Sequence, residues 1–351
     1  MALFTRRRVI AALAAIPILG GAKAAHAVSR NPYYSGPVSD HFDGVRFFDS
    51  HGSAPKPFTD LLRWQFGGDP KSTWPASWPL DQMAKPPARV TGAGELKVTS
   101  IGHASMLVQT RGLNILLDPV YAERMSPVSF AGPKRVNPPG IAKEDLPKID
   151  VVLVSHGHYD HMDLPSLRAI HARFQPRLLT GLGHGEFLAR AGIPGAVELN
   201  WGEAAPLPGG HRATYVPMRH FSARGIRDRA RSLWGGFAVE AAAGGRFLFV
   251  GDTAAGGHLD VIGRSFGGFG VGLIPIGAYE PTWFMQAVHM TPEQAVEAQA
   301  QLRARTALGM HFGTFKLTQE AIDEPARRLH AARGAQDFRV PGVGESFLLE
   351  I

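Results

Sequence analysis

The sequence predicts an α/β fold in which two β-sheets stack and helices cover their outer faces. Three observations carry this. Short apolar runs of strand length recur along the chain after Thr91. They come as strands in succession and then as strand–helix units, and that order is run through twice. Several strands also end in histidine or aspartate, so that residues of one chemical kind sit on a rigid scaffold.

Taken in order, the first 27 residues have a basic start (Arg6, Arg7, Arg8), an apolar centre over 9–22 and a small-residue Ala25-His26-Ala27 cleavage site. That is the form of a signal peptide. The centre is too short and too rich in Ala and Gly to span a bilayer comfortably. The stretch "TRRRVI" resembles a twin-arginine export address. The expectation is a periplasmic protein whose mature chain starts near Val28, membrane-associated if the segment stays as an anchor. Removing the four cations of this segment leaves +3 of the formal +7. A charge that small does not mark a nucleic-acid binder, and no nucleic-acid partner is expected.

Residues 28–90 form an irregular lead-in rich in Pro and aromatics, with one amphipathic piece, "FTDLLRWQF". Its aromatics are expected to cover core, and "LLRWQF" offers a peripheral membrane contact. The main domain spans 91–351. "ELKVTSIG", "SMLVQT" and "LNILLD" read as an antiparallel meander, followed by the strand "IDVVLVSH", the helix "DLPSLRAIHARF" and the strands "RLLTGL", "AVELN" and "RATYVPM". The second round runs "SLWGGFAVEA", "RFLFVGD", a helix "HLDVIGRSF" and the strand "VGLIPIG". A long helix "TPEQAVEAQAQLRA" opens on a Thr cap with Glu293 in its first turn. The strand "TALGMHF", the helix "TQEAIDEPARRLHAAR" and the strand "ESFLLEI" end the chain.

The chemistry concentrates where "VVLV" gives way to "SHGHYDHMD". Imidazole and carboxylate are ligands for divalent transition metals, and the chain has no cysteine to offer a thiolate. His156 and His158, two apart, can point to one side of an extended turn, and Asp160 and His161 form a second pair. His220, Asp252 and His311 each follow an apolar strand. His156, His158 and His220 would make one three-histidine site, and Asp160, His161 and His311 the other. Asp252 can give one oxygen to each ion.

This run, with "GHASMLV", "LLDPVY", "GPKRVNPP", "IPIGAYEPTWFM" and "MHFGTF", resembles the metallo-β-lactamase-fold hydrolases, and within them the N-acyl-phosphatidylethanolamine-hydrolysing phospholipase D group. The resemblance implies a four-layer αββα sandwich with a dinuclear metal site at one edge of the two sheets. It implies two Zn²⁺ per chain and assigns Asp252 as the bridging ligand. Relatives that hydrolyse lactams commonly use a cysteine ligand, so β-lactam hydrolysis is not expected. By the same resemblance Tyr159 and His289 are substrate contacts, and His103 and Asp118 support the ligands from behind. Val288 departs from the animal lipase pattern, which has a polar residue there. His171, His184, His258 and His330 fall in helix-like segments and are expected in solvent.

Two zinc ions a few ångströms apart can share a water and bring its pKa towards neutrality, yielding a bridging hydroxide. Two Zn²⁺ less Asp160, Asp252 and that hydroxide leave a charge of about +1, which suits a phosphodiester monoanion. Asp160 would also orient the nucleophile and take its proton, and Asp252 acts with it. The expected function is therefore a phospholipase D-type phosphodiesterase acting on N-acyl-phosphatidylethanolamine-like phospholipids. The alternative is a lactonase or other small-ester metallohydrolase of the same fold. A metal-binding envelope protein without activity would not need an open bridging position. The oligomeric state is left open, a homodimer included.

Overall fold

The computed structural model describes residues 30–50, 52, 57–68, 71–80, 83–225, 227–242 and 244–351. The expected signal segment lies outside them. The lead-in carries helix α1 (Phe58–Phe66), and the first sheet then begins. Strands β1 (Glu95–Gly102), β2 (Ser105–Thr110) and β3 (Leu113–Leu117) form the expected antiparallel meander. β4 (Val151–Val154), β5 (Arg177–Gly181) and β6 (Val197–Leu199) extend it in parallel, with helices α2 (Leu164–Phe174) and α3 (Gly185–Arg190) in the crossovers.

The second sheet repeats this plan. β7 (Ala204–Pro206), β8 (Arg212–Val216), β9 (Gly236–Glu240) and β10 (Arg246–Phe249) are antiparallel. β11 (Phe269–Pro275), β12 (Ala304–Met310) and β13 (Phe338–Arg339) follow in parallel. Their connections hold α4 (His258–Phe266), the short α5 (Thr282–Met285), α6 (Pro292–Leu302) and α7 (Glu324–Ala332). β14 (Ser346–Glu350) returns to the first sheet and pairs with β1, so each sheet has seven strands among the described residues.

β4 shows why the sheets stack. Its four residues are all buried, and they divide by the period of two that a strand imposes. Val151 and Leu153 join the core between the sheets with Met106, Val108, Ile115, Tyr215, Phe237 and Phe249. Val152 and Val154 point the other way, into a second cluster with Leu107, Leu116 and with Leu167 and Ile170 of α2. On the opposite outer face, α6 packs on β11 and β12 and against α4 and α7. The expected two sheets with helices outside are thus the fold.

At α6 the expected Thr cap and first-turn Glu293 are present, while the last helix starts later than expected. At α6 the Thr291 hydroxyl accepts from the Gln294 N–H, and the Gln294 side chain accepts from the Thr291 N–H. Glu293 is instead bound to Arg328 at 2.8–2.9 Å. The last helix starts at Glu324 rather than near Thr318, because Pro325 lacks an N–H and is tolerated only in a first turn. The residues freed from the helix do other work. The buried Glu320 carboxylate accepts from the backbone of Ala278 (2.6 Å) and Glu280 (3.3 Å). The Glu320 carbonyl accepts from Ser72 and from Trp74 Nε1. Glu320 thereby ties the lead-in to the loop before α5. α1 adds a second tie, with Trp64 stacked on Phe284 at 5.2 Å. No helix among the described residues is long and apolar enough to cross a membrane.

Candidate metal centre

β4, β8, β10 and β12 lead to one edge, and the residues just beyond their ends meet there. His156 and His158 follow β4, with Gly157 between them. A Cβ on Gly157 would lie 2.6 Å from Ser222 Oγ and 3.0 Å from His184 Nε2, so only glycine lets the turn pass. The turn closes as the N–H groups of His161 and Met162 both donate to the His158 carbonyl, which brings Asp160 and His161 back beneath it. His220, Asp252 and His311 arrive from the second sheet. All are buried except His158, which is half-buried.

The ring nitrogens converge in two groups. His158 Nδ1 lies 2.8 Å from His156 Nε2 and 3.1 Å from His220 Nε2. His220 Nδ1 donates to the Val288 carbonyl at 2.9 Å, and His156 Nδ1 faces Ser155 Oγ at 3.0 Å, a hydroxyl itself committed to Asp118. The Nε2 atoms of both rings therefore hold lone pairs, and these point at a third ring nitrogen. A cation resolves that arrangement and a single hydrogen does not.

The second group is built by the same logic. His161 Nδ1 donates to Asp118 at 2.6 Å, leaving its Nε2 buried without a partner and 3.4 Å from Asp160 Oδ2. His311 Nε2 lies 3.2 Å from the same oxygen. Asp252 stands between the groups. Its Oδ2 is 3.6 and 3.8 Å from the Nε2 atoms of His220 and His156, and 3.2 and 3.1 Å from those of His161 and His311. Its Oδ1 is buried and unpartnered. The donor atoms form two candidate metal-binding groups, His156, His158, His220 and Asp252 in one and His103, Asp160, His161 and His311 in the other, and Asp252 Oδ2 lies near His161 and His311 as well.

The electrostatics ask for positive charge in the second group. Burial pushes His156 and His220 well down and His158 to about 4, with neighbouring imidazoles adding to the effect at His156. Burial also opposes charge on His161 and His311. Asp252 and Asp160 outweigh it, raising His161 well above its ordinary value and His311 to about 9. The two carboxylates, which burial alone would raise, are held low by those rings.

His103 Nε2 donates to Asp160 Oδ2 at 2.9 Å, and Asp118 accepts from Ser155 N–H, Ser155 Oγ and His161 Nδ1. Both orient groups of the centre, as the resemblance implied. His103, Asp118 and His311 all hold left-handed φ values of 57°, 35° and 64°, a cost accepted where the surroundings over-determine the backbone. Tyr159 sits under the Arg224 guanidinium, 3.9 Å from its ring centroid. The buried His289 has its ring 5.0 Å from that of His220 and 5.2 Å from that of His311.

Of the four histidines expected in solvent, three are buried or half-buried, and sequence reasoning overlooked an arginine. His184 is buried, not solvated. Its Nδ1 donates to the Gly181 carbonyl, and its Nε2 faces Ser222, whose hydroxyl accepts from the Gly157 N–H. It therefore props the metal-binding turn. His258 is half-buried on Thr253 Oγ1 at 2.9 Å, beside Asp252. His171 is half-buried, and His330 alone of the four is exposed. Arg224 donates to the carbonyls of Gly157 and Met162 and clamps the same turn; its proximity to His220 in "RHFSAR" was the signal available.

Residues 113–312 match the model of the β-lactamase superfamily domain. The chain belongs to the β-lactamase superfamily of metal-dependent hydrolases. It is 40% identical over 257 residues to an N-acyl-phosphatidylethanolamine-hydrolysing phospholipase D of Caenorhabditis elegans, covering 69% of this chain and 71% of that one. It is 34% identical over 277 residues to an uncharacterised protein of Mycobacterium tuberculosis, covering 78% and 73%. Among solved structures, a metallo hydrolase of Ignicoccus hospitalis shares the fold with a TM-score of 0.55 and 24% identity, over 73% of this chain and 99% of that one.

In this hydrolase the two ion positions should respond differently to pH. Protons on His161 and His311 compete with a metal above the ordinary imidazole range, for His311 until about pH 9, because their values are raised. The three-histidine group sheds its protons below the ordinary imidazole range, His158 at about 4, because its values are lowered. Titrating metal-free protein should therefore show one ion whose affinity is nearly flat from pH 6 to 8 and a second whose affinity climbs over that range. Two parallel pH dependences would contradict the electrostatics described.

Proposed function

We propose that the chain is a dinuclear zinc phosphodiesterase that cleaves N-acyl-phosphatidylethanolamine-like phospholipids to phosphatidic acid and an amide alcohol. It would act in the periplasm once segment 1–27 has directed its export, with 91–351 as the catalytic domain behind the 28–90 lead-in. The position of Asp252, within reach of both nitrogen groups, carries the dinuclear reading. The phospholipase named among the relatives supports the substrate class.

Two Zn²⁺ held by these side chains would supply Lewis acidity for a phosphoryl oxygen and a water made acidic enough to attack at neutral pH. The protein's own groups then divide the remaining tasks. Asp160, fixed through Oδ2 by His103, orients the attacking water and takes its proton. Tyr159, flattened under Arg224, borders the approach. His289 faces the centre beside His220 and His311. Burial pushes its pKa down to about 4, and bound cations would lower it further, so the ring serves as a neutral donor and not as a cation. Its Nδ1 is buried without a partner, leaving an N–H to offer the departing alkoxide.

Zinc-loaded protein should hydrolyse bis-p-nitrophenyl phosphate and N-acyl-phosphatidylethanolamine in preference to a lactone. Asp252→Ala should lose metal from both positions. Its activity should fall by more than the roughly 10–100-fold typical when a ligand's outer partner is removed. A wild type that opens the lactone and spares both phosphodiesters would transfer the function to the small-ester reading.

His289→Ala should cut turnover of N-acyl-phosphatidylethanolamine at least about 10-fold more than that of bis-p-nitrophenyl phosphate, whose leaving group departs unaided. Metal content should stay the same. Equal losses on both substrates would make His289 a positioning residue.

A lipid substrate also fits the face of α1. Leu61, Leu62 and Phe66 are exposed there, while Trp64 stacks on the segment that leads to His289. Replacing all three with Ser should weaken co-sedimentation with phospholipid vesicles and raise KM on vesicles only, with hydrolysis of soluble bis-p-nitrophenyl phosphate retained. Undiminished vesicle binding would remove the membrane role of the lead-in.

A further inference from the structure

Among the described residues, Arg229 is a cation with no anionic partner. Its guanidinium lies over the Phe221 ring, 3.4 Å from the centroid. Phe221 follows the ligand-forming His220 and stands edge-on to His158, with ring centroids 4.7 Å apart. The guanidinium is thus one ring away from the three-histidine group, close enough for its charge to act on His158. Among the described residues no carboxylate or carbonyl accepts from it. The one charged group that bears on it is Arg46, a like charge, and burial and Arg46 together depress its pKa. Arg46 is exposed, and its backbone, not its guanidinium, meets Asp43.

Such an arrangement is unfavourable in the free protein. Arginine stacked on an aromatic ring keeps its in-plane N–H fork free, and that fork matches a carboxylate or phosphate in two-point contact. The metal centre cannot account for the need. A dinuclear site of charge about +1 is already balanced by one phosphodiester monoanion, so Arg229 and Arg46 are positive charge in excess of what that substrate brings.

We propose that Arg229 determines specificity by gripping a second anionic group of the substrate, a carboxylate or a phosphate, beyond the phosphodiester at the metals. This rests on the phosphodiesterase reading and narrows it to phospholipids with a doubly charged head. The ring of Phe221 sets the guanidinium's plane, and Arg46 at the rim draws the anion inward.

Steady-state kinetics of the zinc-loaded full chain on three lipids in the same micelles tests this. The lipids are N-acyl-phosphatidylethanolamine, N-acyl-phosphatidylserine, which adds a carboxylate, and phosphatidylglycerol phosphate, which adds a phosphate. Wild type should favour one or both doubly charged lipids in kcat/KM, and which one identifies the group. In Arg229→Met that preference should fall by about 10- to 100-fold, the range expected for a lost charge-assisted pair, with the change carried by KM. Arg229→Lys should recover part of it, and metal content and melting temperature should stay at wild-type values. An unchanged preference in Arg229→Met, or a wild type that favours the singly charged lipid, would overturn the proposal while leaving the phosphodiesterase intact. A wild type that cleaves none of the three would remove both.

Discussion

Two carboxylates, Asp160 and Asp252, lie buried between the sheets within reach of five ring nitrogens, and the rest of the site is organised to make that tolerable. Buried charge is expensive unless it is paired. Protons drawn onto His161 and His311 meet part of the need, and divalent ions would meet it more fully because they also take up the lone pairs of His156, His161 and His220. Geometry follows from this. Donors that must share ions cannot sit on mobile loops, so they are mounted just past the ends of β4, β8, β10 and β12, where two packed sheets fix their separation.

A ring of supporting contacts then removes the remaining freedom. Asp118 commits His161 to one tautomer directly and His156 through Ser155, while the Val288 carbonyl does the same for His220. Choosing the tautomer decides which nitrogen keeps its lone pair, so these partners create the ligand set as much as the ligands do. The left-handed backbone at His103, Asp118 and His311 lies on the same ring. It is consistent with side-chain placement having been satisfied first and backbone preference second.

That division marks what the sequence could and could not tell. β4 and the turn after it were legible because the signal is local: four apolar residues, then three histidines and two aspartates within eight positions. His220, Asp252 and His311 were legible because each follows an apolar run. The limits of α1 and α4 were evident from their periodicity. His184, Arg224 and Glu320 were not, since their roles rest on hydrogen bonds to Ser222, Gly157 and Ala278, tens of residues away in each case. No local pattern encodes such a contact. A histidine beside a helix looks the same whether water or a buried serine receives it. The start of α7 was misplaced for a related reason, because the pattern before Pro325 suits a helix while the residues themselves are drawn to the loop that carries His289.

Apart from Tyr159, the groups proposed to meet substrate come from different chain segments than most of the proposed metal ligands. His289 stands after α5 on a segment pinned through Glu320 and Trp64, and Arg229 lies on the excursion between β8 and β9. Neither is held by the strand ends that mount the ions. Substitutions on these segments can therefore change head-group recognition while the metal geometry stays as it is, which is how one scaffold accommodates many substrates. Val288 joins the two systems: its carbonyl orients His220, and it precedes His289 in the chain. The backbone at that position serves the ions whatever residue occupies it. A substitution of the Val288 side chain leaves that carbonyl, and so the tautomer of His220, in place.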